Sequence, residues 1–396
     1  MRYLIFLAVL SLVALLRVYQ WHLWKVPIFP KSQESLTFVL RRSPQLIQGQ
    51  QILKVESLTV ILSATQDLKV GDIIRIEGKA DEGGRIWYPK VSKLGRSSGV
   101  LTRLLLWREA IADQIDSSLH EPQASLLKGI LLGIDEMPPR FRSDLRRVGL
   151  THLVVASGAN LAILASFILK LSGWIYRRTA LVLALGVIVL YTLMTGLEPP
   201  IIRAAIMAGF SFLGEILGQQ PWTGWIFLLT ALLMVIINPV YLFSLSFQLS
   251  FLATAGVLFL TKPLEDRFRR WSLPGFFKAS LATTLAAQFM VTPRLMSVFG
   301  GLSLVSLVSN TLVLVWVEFL MAVGFGVSWL SLIVPESVAR FLFFIPWGGL
   351  SFIVWVTRFF SSYHLAYINT PKIAWINFIP WYLMLLWFLK KPSNFV

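Results

Sequence analysis

The chain has 396 residues, of which 56% are hydrophobic, and it contains no cysteine. Soluble domains are about 45–50% apolar, so this composition excludes an ordinary soluble globular protein, and the lack of cysteine excludes disulfides and thiol-based chemistry. The formal net charge of +16 is a second constraint. Basic loops orient membrane proteins and bind lipid head groups, and an excess of this size also attracts polyanions.

Residues 1–18 form a short positively charged start followed by an apolar run, as in a signal peptide. No small-residue cleavage site follows this run, and the sequence continues into an aromatic collar of Tyr19, Trp21 and Trp24. We therefore interpret 1–18 as an uncleaved transmembrane anchor whose N-terminus lies in the cytoplasm.

Residues 30–97 consist of short β-branched runs separated by turn signals, for example QILKVESLTVILS and GDIIRIEGKA. About five strands in so short a segment predict a small closed β-barrel of the OB type, a fold that commonly binds single-stranded nucleic acid. The segment holds 11 Lys/Arg against seven Asp/Glu. The candidate DNA-binding residues are Arg85, Trp87, Tyr88 and Lys90, whereas Phe38 is expected in the barrel core.

Residues 98–149 are predicted to form amphipathic helices in the membrane interface. LTRLLLWREAIADQIDSSL and RFRSDLRRVGL each place charges opposite an apolar stripe, which is typical of such helices. Between them, PQASLLKGILLG is apolar but too short to cross a bilayer.

Residues 150–391 contain recurring apolar blocks of about 18–25 residues, which predict transmembrane helices. The blocks lie near 150–170, 180–197, 201–217, 223–240, 245–261, 279–299, 303–325, 339–357 and 373–389. The stretch 303–333 is long enough to contain a broken or re-entrant helix around Gly324–Gly326. The predicted fold is a polytopic α-helical membrane protein of about ten transmembrane helices with a small extracytoplasmic OB-like barrel.

The distribution of basic loops predicts the orientation. The basic segments at Arg177–Arg178, 262–278 and Lys390–Lys391 are expected in the cytoplasm, which places both termini there and the barrel outside the inner membrane. Arg358 and Lys372 then flank an outer loop, against the rule.

Polar residues within apolar spans are costly in lipid and are therefore candidates for function. Under this orientation several of them fall in the outer halves of the spans and predict a polar vestibule or channel: Ser157, Gly158, Asn160, Arg203, Gln248, Arg294 and Asn310. The alternative is that they are hydrogen-bonding groups that hold neighbouring helices together.

The sequence predicts neither an enzyme nor a cofactor. Ser157 and His152 are five residues apart, so on one helix they would face different directions and could not act as a catalytic dyad. No metal-ligand spacing and no phosphate-binding loop are found in the sequence.

Three blocks resemble the signature of ComEC-type competence proteins, the inner-membrane DNA channels of natural transformation. LLKGILLGIDEMPPRFRSDLRRVGLTHLVVASGANLAILA is similar to the family's Leu-Leu-x-Gly, Phe-Arg…Gly-x-x-His-Leu and Ser-Gly-Leu-His pattern. YTLMTGLEPPIIRAAIMAGF is similar to its Thr-Gly-x-x-Pro-Ser-x-x-Arg-Ala block, and INPVYLFSLSFQLSFLATAGVLFL to its Asn-Pro…Phe-Gln-Leu-Ser-Phe block. Asn160 stands where the family has histidine, and Pro200 where it has serine, so a role that needs a charged imidazole is lost.

The resemblance implies inward transport of single-stranded DNA across the membrane during natural transformation. Many relatives continue into a metallo-β-lactamase-like domain, but no His-x-His-x-Asp-His cluster occurs up to Val396. The expected partners are therefore single-stranded DNA, membrane lipid, a DNA receptor, a separate nuclease and a cytoplasmic translocation motor. The residues alone leave two alternatives open: a transporter of a smaller anionic solute with the barrel as capture domain, and a membrane-anchored binding module.

Overall fold

A computed structural model describes residues 2–23, 35–40, 44–47, 50–55, 58–63, 66–78, 81, 85–154, 157–219, 222–272 and 274–390. Trp24 of the predicted aromatic collar lies outside these described residues. The first helix, α1, runs from Arg2 to Leu23 and is longer than the predicted anchor.

Seven described strands follow α1 and form the predicted β-rich domain. They are β1 Ser35–Val39, β2 Gln45–Ile47, β3 Gln50–Val55, β4 Leu58–Ser63, β5 Asp72–Glu77, β6 Arg85–Trp87 and β7 Lys90–Arg96. One sheet has the order β1-β5-β7 and the other β2-β3-β4-β6. All pairs are antiparallel except β4 with β6, which is parallel.

Alternating side chains join the two sheets through one small core. In β5, Ile74 and Ile76 are buried while Arg75 and Glu77 are exposed, as a strand with one covered face requires. The buried residues of both sheets cluster together, and Phe38 packs against them: Leu40, Leu53, Val60, Leu62, Ile74, Ile76 and Ile86. The pairings between the described strands leave two separate sheets, so closure into an OB barrel is not confirmed.

Asp72 anchors the start of β5. Its buried carboxylate accepts hydrogen bonds from Lys93 Nζ at 2.7 Å and from the backbone N–H of Lys69 at 2.9 Å. Burial raises the pKa of this carboxyl, but the hydrogen bonds from Lys93 and Lys69 outweigh it and hold the pKa below its ordinary value.

The rest of the described chain is mainly helical. Its helices are α2 Val100–Ser118, α3 Gln123–Leu132, α4 Pro139–Arg147, α5 Gly158–Lys170, α6 Arg177–Met194, α7 Pro199–Ile216, α8 Thr223–Ile237, α9 Leu245–Phe268, α10 Gly275–Phe299, α11 Ser306–Phe319, α12 Phe325–Leu330, α13 Glu336–Leu342, α14 Phe344–Ser361 and α15 Ile379–Lys390. Two short strands, β8 Gly301–Ser303 and β9 Tyr367–Asn369, pair antiparallel between helix ends.

One large apolar core joins α2 to α7 with α11, α12 and α14. Helix α3 lies inside it, with every residue from Ala124 to Leu132 buried. This helix is therefore enclosed by other helices of the chain, while the interfacial location of residues 98–149 stays a prediction. A second core is formed by α9, α10 and α15.

Helix α1 packs against the helical body. Ala14 is buried in a cluster with Met234 and Val235 of α8 and Phe247 of α9. Arg17 Nε lies 3.3 Å from the carbonyl oxygen of Ile236. The predicted anchor is thus an integral part of the helical bundle.

Four spans among the described residues are long and apolar enough to cross a membrane: α6, α7, α9 and the continuous stretch Ser306–Leu330. A fifth is added if α13 and α14, bent by 45°, count as one. The chain is a membrane protein, but about ten spans are not confirmed. The stretch 303–333 continues through a π-helical turn at Leu320–Gly324 instead of breaking.

The span expected at 150–170 begins later than the sequence indicated. Thr151–Leu153 form a 3-10 turn, and the α-helix starts only at Gly158. The basic segment expected as a loop at 262–278 is largely helical, since α9 extends to Phe268 and α10 starts at Gly275.

Candidate functional site: a polar junction at the ends of helices

Ser157 and Asn160 lie at the N-terminus of α5 rather than in the middle of a span. Ser157 Oγ accepts a hydrogen bond from the backbone N–H of Asn160 at 3.4 Å and donates to Asn160 Oδ1 at 2.9 Å. A serine immediately before the first helical residue, bonded to the third N–H, is a helix N-cap. The polar pair therefore starts the helix.

Asn160 also closes the buried C-terminus of α3. Its side-chain N–H donates to the carbonyl oxygen of Ile130 at 2.9 Å. That carbonyl belongs to the last turn of α3, where carbonyls have no helical N–H partner, so it needs another donor once it is buried. Arg108 Nε does the same for the carbonyl of Leu132 at 3.1 Å. The amide of Asn160 is thus used for structure.

Gly158 brings the N-terminus of α5 against α7. An added β-carbon at Gly158 would lie 2.6 Å from Nη2 of Arg203 and 2.9 Å from Cβ of Ala204. Only glycine allows this approach. The structure therefore places the guanidinium of Arg203 directly beside the first residue of α5.

Arg203 has no hydrogen-bond or ion-pair partner among the described residues, and its Nε is buried. Buried polar groups are usually bonded, and an unpaired charged group carries a large desolvation cost. The neighbouring helix end adds to this, because the first N–H groups of a helix carry partial positive charge. Guanidinium and helix terminus together form a site suited to an anion.

Gln248 and Arg294 form a second polar group. Arg294 Nε donates to Gln248 Oε1 at 2.6 Å, and its Nη1 lies 3.2 Å from Ser297 Oγ. Gln248 in turn donates to the carbonyl of Leu242 at 2.6 Å. This group holds the first turn of α9 to the last turns of α10.

Asn310 belongs to a third group, on the buried face of α11. Its Oδ1 is buried and has no hydrogen-bond partner in the part of the chain that the structure describes. One turn earlier, Ser306 accepts a hydrogen bond from Gln288 of α10 at 2.9 Å. Ser309, directly before Asn310, donates to the carbonyl of Val148 at 2.8 Å. The candidate channel residues thus fall into three groups: Ser157, Gly158, Asn160 and Arg203; Gln248 and Arg294; and Asn310.

The candidate DNA-binding residues lie together at β6 and its turn. Arg85 and Trp87 share the exposed face of β6, since the strand alternates around buried Ile86. Trp87 and Tyr88 are 50% and 57% exposed, and Lys90 is exposed at the start of β7. Trp87 Nε1 donates to Asp81 Oδ2 at 3.1 Å. Two exposed rings beside two cations give this edge of the domain the composition of a single-strand binding surface.

The sequence analysis missed one charged group inside the helical core. Lys128 of α3 is 3% exposed, and its Nζ lies 2.7 Å from both Asp116 Oδ2 and Glu136 Oε2. Burial lowers the pKa of this ammonium, but the hydrogen bonds to Asp116 and Glu136 outweigh it and raise the pKa above its ordinary value. Nearby, burial and the charge of Asp116 raise the pKa of Asp113. The signal was a lone lysine in an apolar segment.

A cavity of about 430 Å³ lies against the second half of α5. Ser166, Lys170 and Glu318 contribute its polar groups, and apolar side chains line the rest. Among the described residues, no group of three or more His, Asp or Glu side chains is arranged to hold a metal ion.

Comparison with known proteins decides the family. The model of the Competence protein family matches residues 130–394, which is more than half of the chain. The chain belongs to the Competence protein family. The matched region contains α4 to α15 and all three polar groups described above.

Two relatives of this competence protein support the assignment. "Uncharacterized protein YcaI" of Escherichia coli (strain K12) is 26% identical over 280 residues, which are 65% of this chain and 36% of the relative. "ComE operon protein 3" of Bacillus subtilis (strain 168) is 26% identical over 235 residues, 58% of this chain and 29% of that protein. The resemblance to ComEC-type competence proteins is thereby confirmed. The chain spans about a third of the length of these curated relatives, and no solved structure matches it.

Proposed function

We propose that this competence protein forms the pathway by which single-stranded DNA crosses the inner membrane during natural transformation. Family membership supports a role in competence, and the net charge of +16 suits a polyanionic substrate. The observation that carries the proposal is Arg203 at a helix N-terminus, whose Nε is buried and whose guanidinium has no partner among the described residues.

Arg203 suits a passing phosphate backbone for two physical reasons. A guanidinium stays charged at all relevant pH values and grips phosphate oxygens with two parallel N–H donors. Its position beside the first residue of α5 adds the partial positive charge of that helix end. A phosphate that reaches this point compensates the charge of Arg203, and the next phosphate along the strand can replace it.

In this proposal the N-terminal β domain captures the strand outside the membrane. Arg85 and Lys90 bind phosphates, and Trp87 and Tyr88 stack on bases. The Gln248–Arg294 pair and Asn310 supply further polar contacts along the route. Both termini lie in the cytoplasm, while a DNA receptor, a separate nuclease and a cytoplasmic motor act with the chain.

Substitution of Arg203 tests the proposal in cells that depend on this gene for uptake of labelled DNA. We expect Arg203→Gln to reduce uptake severely at unchanged protein level and membrane insertion. Arg203→Lys should recover part of it, because the charge survives without the two-donor geometry. The matched control is Arg340→Gln, since Arg340 is exposed and pairs with Glu336 four residues earlier, an interaction of about 0–1 kcal/mol.

Normal uptake by a stably expressed Arg203→Gln, Arg294→Gln double variant would contradict the proposal. Loss of uptake of a small organic anion, with DNA uptake unchanged in the same variant, would instead favour the solute transporter.

A further inference from the structure

Three segments that are distant in sequence meet beside the C-terminal end of α10. Arg146, in the last turn of α4, lies over the ring of Phe299 with its guanidinium carbon 5.8 Å from the ring centroid. Arg147 Nη2 lies 3.5 Å from the carbonyl oxygen of Tyr363. Lys372 packs at Gly300, where an added β-carbon would lie 3.3 Å from Lys372 Cγ.

This surface is strongly basic. Helix α4 carries four arginines against the single carboxylate of Asp144. The other two segments come from parts of the sequence without acid residues, because neither 267–317 nor 337–396 contains Asp or Glu. Arg146 and Lys372 are exposed. Arg142 of α4 pairs with Asp135 at 2.6 Å, and neither of the two acid-free segments contributes a carboxylate to the surface.

Exposed aromatic rings accompany the cations. Phe299 is 45% exposed and Tyr363 is 51% exposed. Basic residues at helix C-termini are favourable on their own, and this accounts for Arg146 and Arg147 at the end of α4. It does not account for the partly exposed ring beneath Arg146. Cations interleaved with exposed rings are the composition with which proteins bind single-stranded nucleic acid.

The helix that carries Phe299 also carries a polar group of the helical body. Arg294 is five residues before Phe299 on α10, which corresponds to about 7.5 Å along the helix. Arg294 is bonded to Gln248, as described above. Five residues on a helix also turn the side-chain direction by about 140°, so Phe299 and Arg294 lie on different faces of α10.

We propose that Arg146, Arg147 and Lys372, together with Phe299, form a binding surface for single-stranded DNA. This inference rests on the proposed function and adds a second contact region to it. The cations bind phosphates and Phe299 stacks on a base. The surface gives Lys372 a role despite its conflict with the rule that basic loops face the cytoplasm.

Binding of labelled oligothymidine to the full chain in nanodiscs of zwitterionic lipid tests the surface. Each lost phosphate contact lowers the slope of log K against log salt by about 0.7 for single strands, so the Arg146→Gln, Arg147→Gln, Lys372→Gln triple variant should bind more weakly, with a slope about 2 lower. Phe299→Leu should weaken binding about fivefold or more with an unchanged slope, because stacking is lost without a charge.

The matched control removes three charges elsewhere: Arg178→Gln, Arg269→Gln and Lys278→Gln. It should keep the slope of the parent chain. If the parent chain binds no oligothymidine, the proposed function itself fails. If the parent binds and the surface triple variant behaves like the control, only this inference is overturned.

Membrane lipid offers the same phosphate chemistry and needs its own measurement. Retention of anionic lipid by the purified chain in detergent is compared between the parent and the surface triple variant. Unchanged lipid retention together with weakened oligothymidine binding supports the inference. Lost lipid retention with unchanged oligothymidine binding overturns it, because the surface would then bind lipid phosphate.

Discussion

Replacing Gly158 with alanine should destabilise the protein and displace Arg203 at the same time. The added β-carbon would lie 2.6 Å from Arg203 Nη2 and 2.9 Å from Ala204 Cβ. The guanidinium can swing away, but Ala204 belongs to the body of α7 and can move only with the helix. Overpacking costs about 1–3 kcal/mol, while alanine gains about 0.5–1 kcal/mol over glycine within a helix. We therefore expect a net loss of about 0.5–2 kcal/mol.

A second substitution separates the two effects. In Gly158→Ala, Ala204→Gly the contact with the β-carbon of Ala204 is removed, so most of the stability should return, less about 1 kcal/mol for glycine inside α7. The β-carbon still occupies the position beside Nη2, so Arg203 stays displaced. DNA uptake should then remain low in a protein whose stability is largely restored.

Thermal unfolding of the purified chain in detergent measures the stability, and uptake of labelled DNA measures the function. Gly209→Ala is the control, because Gly209 lies on α7, the helix of Arg203 and Ala204, and has no atom within 4 Å of an added β-carbon. It should be neutral or slightly stabilising. A Gly158→Ala protein as stable as Gly209→Ala, with full uptake, would refute the close approach of α5 to α7.

Three further predictions concern other contacts. Asn160→Leu should lower the free energy of unfolding by about 1–3 kcal/mol, because it leaves a buried carbonyl of α3 without a donor. Asn160→His should be tolerated, since an imidazole N–H can replace the amide. Melting temperatures in detergent check both variants. Asp72 has a lowered pKa, so its stabilisation is present above its ordinary pKa and is lost as the pH falls through the folded value. Lys93→Met should remove this stabilisation by Asp72, so pepsin should cleave the β domain of the variant at a higher pH than that of the parent. Cleavage that begins at the same pH in both proteins would contradict the role of the Lys93–Asp72 pair. Lys128→Met should leave the melting temperature nearly unchanged. Neutralising both Asp116 and Glu136 should cost about 3 kcal/mol, because Lys128 then stays buried without a partner. This is the lower end of the usual cost of such a charge, since the two carboxylates are half exposed.

The local patterns in the sequence predicted the kinds of element well and their pairing poorly. The β-branched runs correctly indicated strands, for example β5 around Ile74 and Ile76. The partners could not be read, because β1 pairs with β5 and β4 pairs in parallel with β6, across intervening strands. Such pairings depend on long-range packing rather than on local propensity.

The start of α5 shows a different limit. Hydropathy averaged over 150–170 predicted one continuous span, which made Ser157 and Asn160 look like polar residues within lipid. A serine directly before an apolar helical run is also an N-cap signal, and the structure follows that signal. The enclosure of α3 was beyond local reasoning, because the partners of Lys128 come from α2 and from the segment after α3.

The packing of α1 against α8 fixes an order of events during synthesis. Arg17 and the carbonyl that it contacts are 219 positions apart in the chain. At about 5–20 residues per second, the ribosome needs roughly 10–45 s to make the intervening chain. For that time α1 waits without its final neighbour, so Ala14 and Arg17 face lipid, insertion machinery or another chain. Slowing translation between α1 and α8 should therefore lengthen the period in which the nascent protein is vulnerable to membrane proteases.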